Sequence, residues 1–183
     1  MLAALRPRLL AVEEGARMYG DASAAVAVLL REREGLEVLV MERAKRQTDP
    51  WSGHWSFPGG RRQKGESLLS AACRETEEEI GVAPDPAEAI GCMAARAPAN
   101  RPELLVLPFV FRWMMDQEPR LGPEVASTAW VPLWDLRSTR ATATIRIRDR
   151  DVRMPAFVEG SRAVWGFTYR LLEDLLALLP RVP

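Results

Sequence analysis

The stretch GRRQKGESLLSAACRETEEEIGV, residues 60–82, decides the fold of this 183-residue chain. Apolar and small residues recur in its second half at spacings of three and four, the period of a helix with one buried face. This stripe consists of Leu69, Ala72, Cys73, Thr76 and Ile80. Gly81 follows it, as glycine commonly does at a helix end. The stretch therefore predicts a loop and then a helix that lies on the core and ends at Gly81.

Four glutamates stand within five positions near the end of this helix, in the segment RETEEEIG. At about 100° per residue, Glu75, Glu78 and Glu79 share one face, while Glu77 points well away from it. Like charges at these spacings repel one another, and the helix dipole also disfavours negative charge at this end. Two interpretations stay open here: a solvated charged face, or an oxygen-rich site for Mg²⁺ or Mn²⁺.

The composition limits the class of protein. A hydrophobic content of 48% over 183 residues predicts one domain, residues 1–183, with a sizeable core. Basic and acidic residues balance at 25 each, so no net charge attracts nucleic acid or an anionic membrane. Cys73 and Cys92 fit no disulfide framework or metal motif and are predicted to be small buried side chains. With no recognisable signal peptide or spanning segment, the sequence predicts a soluble cytoplasmic protein.

The rest of the chain predicts strands interrupted by helices. Residues 1–20 predict an N-terminal helical extension, with a helix over residues 7–18, and residues 167–179 predict an amphipathic C-terminal helix. The charged run at residues 146–153 predicts an exposed strand or hairpin. Buried strands are predicted at residues 23–32 and 36–44, paired as a hairpin, and at residues 90–97, 104–113 and 128–132. Strands around one central helix, with another helix closing the chain, indicate an α/β sandwich.

Residues 60–82 also resemble the Nudix box, Gly-x5-Glu-x7-Arg-Glu-U-x-Glu-Glu-x-Gly-U, in which U is a bulky aliphatic residue. The matching residues are Gly60, Glu66, Arg74, Glu75, Glu78, Glu79, Gly81 and Val82. Thr76 departs from the pattern, since it stands at a U position. The resemblance to the Nudix hydrolases favours the metal site over the solvated face. It implies an α/β/α sandwich with a mixed sheet that carries the box as a loop and a helix.

Nudix hydrolases cleave a pyrophosphate that joins a nucleoside to another group, with the help of a divalent metal. By position, the resemblance implies that Glu75, Glu78 and Glu79 are ligands of Mg²⁺ or Mn²⁺, assisted by the main-chain carbonyl of Gly59 or Gly60. Glu78 and Glu79 are thereby placed in the catalytic machinery.

The resemblance implies supporting roles for the other matched residues of the box. Glu66 and Arg74 tie the loop to the helix, and Gly60 and Gly81 are structural. The general base is either Glu79 or a glutamate outside the box. Glu124, in a loop before a predicted strand, is the candidate outside the box, and a plain surface position is an equal alternative for it.

Residues upstream of the box bear on the substrate. Leu39, Arg43, Ala44, Gly53 and the run FPGG at residues 57–60 resemble the signature of the coenzyme A pyrophosphatase branch. The segment VWGFTYRLL at residues 164–172 resembles its terminal helix. Thr48 replaces an arginine of that signature, and Arg46 takes this role by a local shift. Arg43 and Arg46 are predicted to bind phosphate, because the guanidinium fork fits phosphate oxygens; a solvated strand end is the alternative.

The resemblance thus implies a metal-dependent hydrolase whose leading substrate is coenzyme A or a thioester of it, cleaved to 3′,5′-ADP and phosphopantetheine. The alternative substrate is ADP-ribose or another nucleoside diphosphate derivative, and the alternative class is a non-catalytic ligand-binding module. A small-molecule nucleotide is the expected partner, with no nucleic acid and no membrane. A homodimer is expected by analogy.

Overall fold

The computed structural model describes residues 1–45, 53–114, 118–147 and 150–180. Four α-helices lie in these ranges: α1 (Leu2–Leu5), α2 (Val12–Met18), α3 (Leu68–Ile80) and α4 (Gly166–Leu178). Ten strands accompany them: β1 (Ala24–Glu32), β2 (Leu36–Arg43), β3 (Trp55–Ser56), β4 (Gly59–Arg61), β5 (Ala89–Cys92), β6 (Val106–Arg112), β7 (Val125–Pro132), β8 (Arg140–Ile147), β9 (Arg150–Glu159) and β10 (Arg162–Trp165).

A mixed sheet organises the molecule, as predicted. Five of its seven strands follow the order β3-β2-β1-β6-β5, and β4 and β7 pair with β1 and β2 off this path. Strand β1 pairs antiparallel with β2 in the predicted hairpin and parallel with β6. The hairpin pairing is at residues 30–32, whereas residues 24–26 of β1 pair with β4. Residues 41–42 of β2 pair with β3, and β7 pairs along residues 37–43 of β2. Strands β3 and β4 therefore bring residues 55–61, which lead into α3, to the start of β1.

Helices cover both faces of this sheet, which confirms the α/β/α sandwich. Alternate residues of β1 point to opposite faces. Ala25, Ala27 and Leu29 belong to the hydrophobic cluster that α3 completes. Val28 and Leu30 belong to the cluster that α4 completes with its buried leucines. The acidic helix and the C-terminal helix therefore lie on opposite sides of β1.

A separate three-stranded sheet, β10-β9-β8, stands beside the first. Strands β8 and β9 pair antiparallel from Arg140 opposite Phe157 to Ile147 opposite Arg150. Residues 146–147 and 150–153 of the predicted exposed strand or hairpin lie in the distal part of this pair, and most of their side chains are exposed. The sequence did not predict the length of the pair or the addition of β10. Small and polar residues along β8 give little hydrophobic signal for such a strand.

The predicted single helix over residues 7–18 is wrong. Leu10 instead pairs with Cys92, exchanging both backbone hydrogen bonds with it at 2.9 and 3.0 Å. Ala11 is extended, and α2 begins only at Val12. This pairing protects the edge of β5 and competes successfully with local helix propensity. The N-terminal region is therefore α1, a 3-10 turn at Arg6–Arg8, an extended link at residues 9–11, and α2.

Cys73 and Cys92 are buried free thiols, and burial raises the pKa of each to about 11. They pack as small apolar side chains, as predicted. Within the described ranges, no helix is both long enough and apolar enough to cross a membrane.

Candidate active site

Helix α3 carries the acidic cluster and is capped at both ends. The Ser67 side chain accepts a hydrogen bond from the Ser70 N–H, and Gly81 ends the helix in the left-handed region at φ 70°. Thr76, the departure from the box pattern, is fully buried. Its hydroxyl donates to the Ala72 carbonyl at 2.7 Å, which satisfies the polar group inside the core.

The glutamates of α3 differ in burial. Glu79 is 6% exposed, whereas the Glu78 side chain is 58% exposed and that of Glu75 lies between them at 21%. Glu77 is exposed. Helical spacing places Glu75, Glu78 and Glu79 on one side of α3, as predicted, and only Glu79 is enclosed by the sheet.

Glu79 is the one buried carboxylate of this group. Its Oε2 accepts a hydrogen bond of 2.8 Å from the Gly59 N–H, and its Oε1 lies 3.7 Å from Nη1 of Arg43. The pKa of Glu79 is raised to about 8, mainly by burial; the charges of Glu75 and Glu124 add to the rise, while the Gly59 hydrogen bond and the Arg43 charge oppose it. A buried carboxylate with two acidic neighbours is costly without more positive charge nearby.

Arg74 joins the box loop to the helix. Its Nε and Nη2 donate to the two carboxylate oxygens of Glu66 at 2.9 and 3.1 Å, and Nη2 also donates to the Arg61 carbonyl. Its Nη1 donates to Glu75 at 2.8 Å and to Glu78 at 3.2 Å. The hydrogen bond from Arg74 is the main cause that holds the pKa of Glu66 below its usual value. These contacts support the structural roles predicted for Glu66 and Arg74.

Two glycines let the carboxylates of α3 approach the sheet. Gly59 has φ 146°, and a Cβ there would lie 2.4 Å from the Ala25 carbonyl oxygen. A Cβ on Gly60 would lie 2.5 Å from Oε2 of Glu75. No other residue fits either position without displacing the backbone or Glu75. A ligand role for the Gly59 carbonyl stays a prediction.

The chemistry of these side chains fits a hard divalent cation. Carboxylate oxygens are the ligands that Mg²⁺ and Mn²⁺ prefer, and such an ion would stabilise the ionised form of the buried Glu79. As placed, Glu75 and Glu78 point to Arg74, so within the described ranges no three acidic, histidine or cysteine side chains are gathered as a ligand set. The donor types and their common helix side agree with the predicted site, and the ligand roles stay predictions.

Arg43 and Glu124 lie beside this cluster although they are distant from α3 in sequence. Arg43 ends β2, and its Nη2 is 3.9 Å from Oε2 of Glu124. The Glu124 side chain is 50% exposed and stands directly before β7. The structure therefore places Glu124 at the cluster and not at a remote surface position. Arg46, the other predicted phosphate ligand, lies outside the described residues.

The sequence did not predict two sets of residues that lie next to the acidic cluster and Arg43. Residues 120–124, called here the docking segment, contact the C-terminal end of α3, where the Arg120 N–H donates to the Ile80 carbonyl at 2.8 Å. On the other side, the Trp165 ring meets the His54 ring edge to face at 4.4 Å, next to Arg43, whose N–H donates to the His54 carbonyl. The Gly-Pro pair at 122–123 marks a turn, and nothing in the sequence says what that turn contacts.

Comparisons with known proteins agree with this geometry. A model of the NUDIX domain matches residues 21–152. The chain is 36% identical over 118 residues to an uncharacterized protein of Schizosaccharomyces pombe, covering 60% of this chain and 36% of that protein. It is 32% identical over 185 residues to the human mitochondrial coenzyme A diphosphatase NUDT8, covering 96% of this chain and 77% of that protein. The chain thus spans about a third of the length of the yeast relative and most of the human one.

Solved structures show the same fold. The crystal structure of RenU, a Nudix hydrolase from M. Smegmatis, superposes with a TM-score of 0.55 at 16% identity and covers 88% of this chain and 89% of its own. The NUDIX-domain match includes residues 59–82, which carry the glutamates of α3 and the Gly59 N–H that donates to Glu79. On this match and this geometry, the chain belongs to the Nudix family.

Proposed function

We propose that the protein is a metal-dependent hydrolase of the pyrophosphate bond in nucleoside diphosphate derivatives. The observation that carries the proposal is the set of carboxylates on one side of α3, with Glu79 buried against the Gly59 N–H and Arg43 beside it. Carboxylates with two arginines beside them suit a substrate whose phosphates arrive with divalent cations.

Glu75, Glu78 and Glu79 would hold Mg²⁺ or Mn²⁺, and the bound ion would neutralise the diphosphate and make a bound water more acidic. The residues of this chain supply the other parts. Arg74 orients Glu75 and Glu78 from the side of the box loop. The guanidinium of Arg43 lies between Glu79 and Glu124 and offers donors to phosphate oxygens.

A glutamate at this site would accept the proton from the attacking water. Glu124 is half exposed and lies 3.9 Å from the Arg43 guanidinium, so its carboxylate is accessible to water. Glu79 is the alternative acceptor, because burial raises its pKa toward the value that suits a base near neutral pH. We assign the role to Glu124 first, since the resemblance already commits Glu79 as a metal ligand.

Coenzyme A or one of its thioesters is the proposed substrate, with cleavage to 3′,5′-ADP and phosphopantetheine. The similarity to the coenzyme A diphosphatase NUDT8 runs over nearly the whole chain, including the residues outside the box that the resemblance ties to this substrate. Arg43 is positioned to meet a phosphate-rich substrate. ADP-ribose remains the alternative substrate. A non-catalytic module is disfavoured, because every carboxylate of the box is retained.

The test is hydrolysis by the purified protein with Mg²⁺ or Mn²⁺ and a panel of coenzyme A, acetyl-coenzyme A, ADP-ribose, NADH and nucleoside triphosphates. We expect 3′,5′-ADP and phosphopantetheine from coenzyme A, detected by liquid chromatography with mass spectrometry. Exclusive turnover of ADP-ribose would overturn the coenzyme A assignment and keep the pyrophosphatase one. No turnover of any compound would overturn both.

Paired variants test the site. Glu78→Gln removes one proposed ligand from an exposed position and should abolish turnover while the protein stays folded. Glu77→Gln makes the same change one residue earlier on the same helix and should leave turnover intact. Equal activities for the two variants would refute the ligand role of Glu78.

A further inference from the structure

The docking segment, residues 120–124, packs against the last turn of α3. The Arg120 N–H donates to the Ile80 carbonyl and the Gly122 N–H donates to the Glu79 carbonyl, both at 2.8 Å. The last carbonyls of a helix lack partners within the helix, so these two bonds complete its C-terminal end. The same backbone that carries the buried Glu79 carboxylate is thereby joined to a segment about forty residues later in sequence.

Glycine is required at position 122 because the contact leaves no space for a side chain. A Cβ on Gly122 would lie 2.3 Å from the Glu78 carbonyl oxygen and 3.1 Å from that of Glu79. Its backbone is outside the left-handed region that favours glycine, so other residues can adopt this conformation. Any larger residue must therefore move the docking segment away from α3.

The other end of the docking segment is held by β2. The Ala44 N–H donates to the Glu124 carbonyl at 2.8 Å, directly after Arg43. The Val125 N–H donates to the Gly122 carbonyl at 3.1 Å, which closes a tight turn between the two anchor points. Glu124 is consequently fixed between α3 and β2, where its carboxylate faces Arg43 and its charge acts on Glu79.

We propose that Gly122 is a positioning residue for the hydrolysis reaction. Its close contact with the end of α3 sets the distance of the Glu124 carboxylate from the acidic cluster, and the chemical step depends on that distance. The inference rests on the proposed hydrolase function and on the role of Glu124 as proton acceptor. It assigns to a glycine outside the box a kinetic effect that acts through another residue.

The experiment is a double-mutant cycle of Gly122→Ala and Glu124→Gln, with coenzyme A as substrate and Mg²⁺ present. A displacement of about 1 Å costs on the order of 100-fold in rate at a well-aligned site, so we expect Gly122→Ala to lower kcat at least about 10-fold. KM should change less than about threefold, since Arg43 is untouched. In the Glu124→Gln background, Gly122→Ala should have no further effect on kcat.

Gly35→Ala is the matched control. Gly35 also lies outside the left-handed region, and its added Cβ would meet only ring atoms of Trp134 at 3.7 Å, an ordinary contact. Its kcat and KM should equal those of the wild type. Thermal melting of each variant reports folding. If Gly122→Ala does not fold, Glu124→Asp decides instead, because it withdraws the carboxylate by one methylene while leaving the docking segment intact.

Hydrogen exchange supplies a reading independent of turnover. In Gly122→Ala, the amides of residues 120 and 122 should exchange faster than in the wild type, and in Gly35→Ala they should not. Unchanged exchange, additive effects on kcat, or an unchanged kcat in Gly122→Ala or Glu124→Asp would each overturn the proposal. A wild type that hydrolyses nothing in the panel while exchange changes as expected would overturn the hydrolase function and leave the docking contact standing.

Discussion

Replacing Glu79 by glutamine should stabilise the metal-free protein, and more so at higher pH. The folded-state pKa of Glu79 is about 8, against an ordinary value of 4.5, because of burial. The folded protein therefore binds more protons than the unfolded chain between these values, and its stability falls as pH rises. Linkage gives a loss of about 2 kcal/mol between about pH 6 and about pH 8 from this one group. Glu79→Gln has no such titration.

Urea unfolding in the presence of a chelator, at both pH values, measures the effect. The free energy of unfolding of Glu79→Gln minus that of the wild type should increase by about 2 kcal/mol from the lower pH to the higher. This difference cancels any constant effect of the amide on the Gly59 hydrogen bond. Glu77→Gln, at an exposed position of the same helix, is the control. A difference that stays the same at both pH values would refute the buried-charge reasoning.

Three further changes test how the cluster is built, each by urea unfolding. Gly59→Ala should lower the free energy of unfolding by at least about 3 kcal/mol, because it adds a backbone clash to an unfavourable φ. Gly65→Ala, at φ 82° with open space, should lower it by about 1 kcal/mol. Equal losses would contradict the close approach at Gly59. Arg74→Lys should lower the free energy of unfolding by about 1–2 kcal/mol, since lysine cannot make the two-point contact with Glu66. An unchanged free energy would show that this contact does not stabilise the fold. Thr76→Val should raise stability by about 0.5 kcal/mol, because it removes a buried hydroxyl that only bonds back to its own helix, and a loss above about 1 kcal/mol would contradict this.

Local periodicity was sufficient for the elements that build the centre of the fold. The stripe along α3 predicted a helix from its loop to Gly81, and the two apolar runs at residues 23–44 predicted the β1–β2 hairpin. Such patterns report which side of a segment is buried. They do not report long-range pairing, so the bridge between Leu10 and Cys92, which interrupts the N-terminal helix, was not predictable.

In the candidate site, too, local patterns predicted some features, and long-range contacts determine the others. Helical spacing grouped Glu75, Glu78 and Glu79, but their unequal burial depends on β4, whose Gly59 N–H reaches only Glu79. The position of Glu124 beside Arg43 comes from contacts between segments about eighty residues apart in sequence. No local pattern contains such a contact, and a turn such as Gly122-Pro123 predicts only that the chain bends there.

The first part of β1 presents smaller side chains toward α3 than toward α4. Toward α3, β1 presents the fully buried Ala25 and Ala27 before Leu29, whereas toward α4 it presents Val28 and Leu30. Short side chains let α3 approach closely enough for Glu79 to reach a backbone amide of β4. Adding methyl groups at Ala25 or Ala27 would therefore lift the whole acidic helix, so the small residues inside the sandwich fix how far the carboxylates of α3 reach.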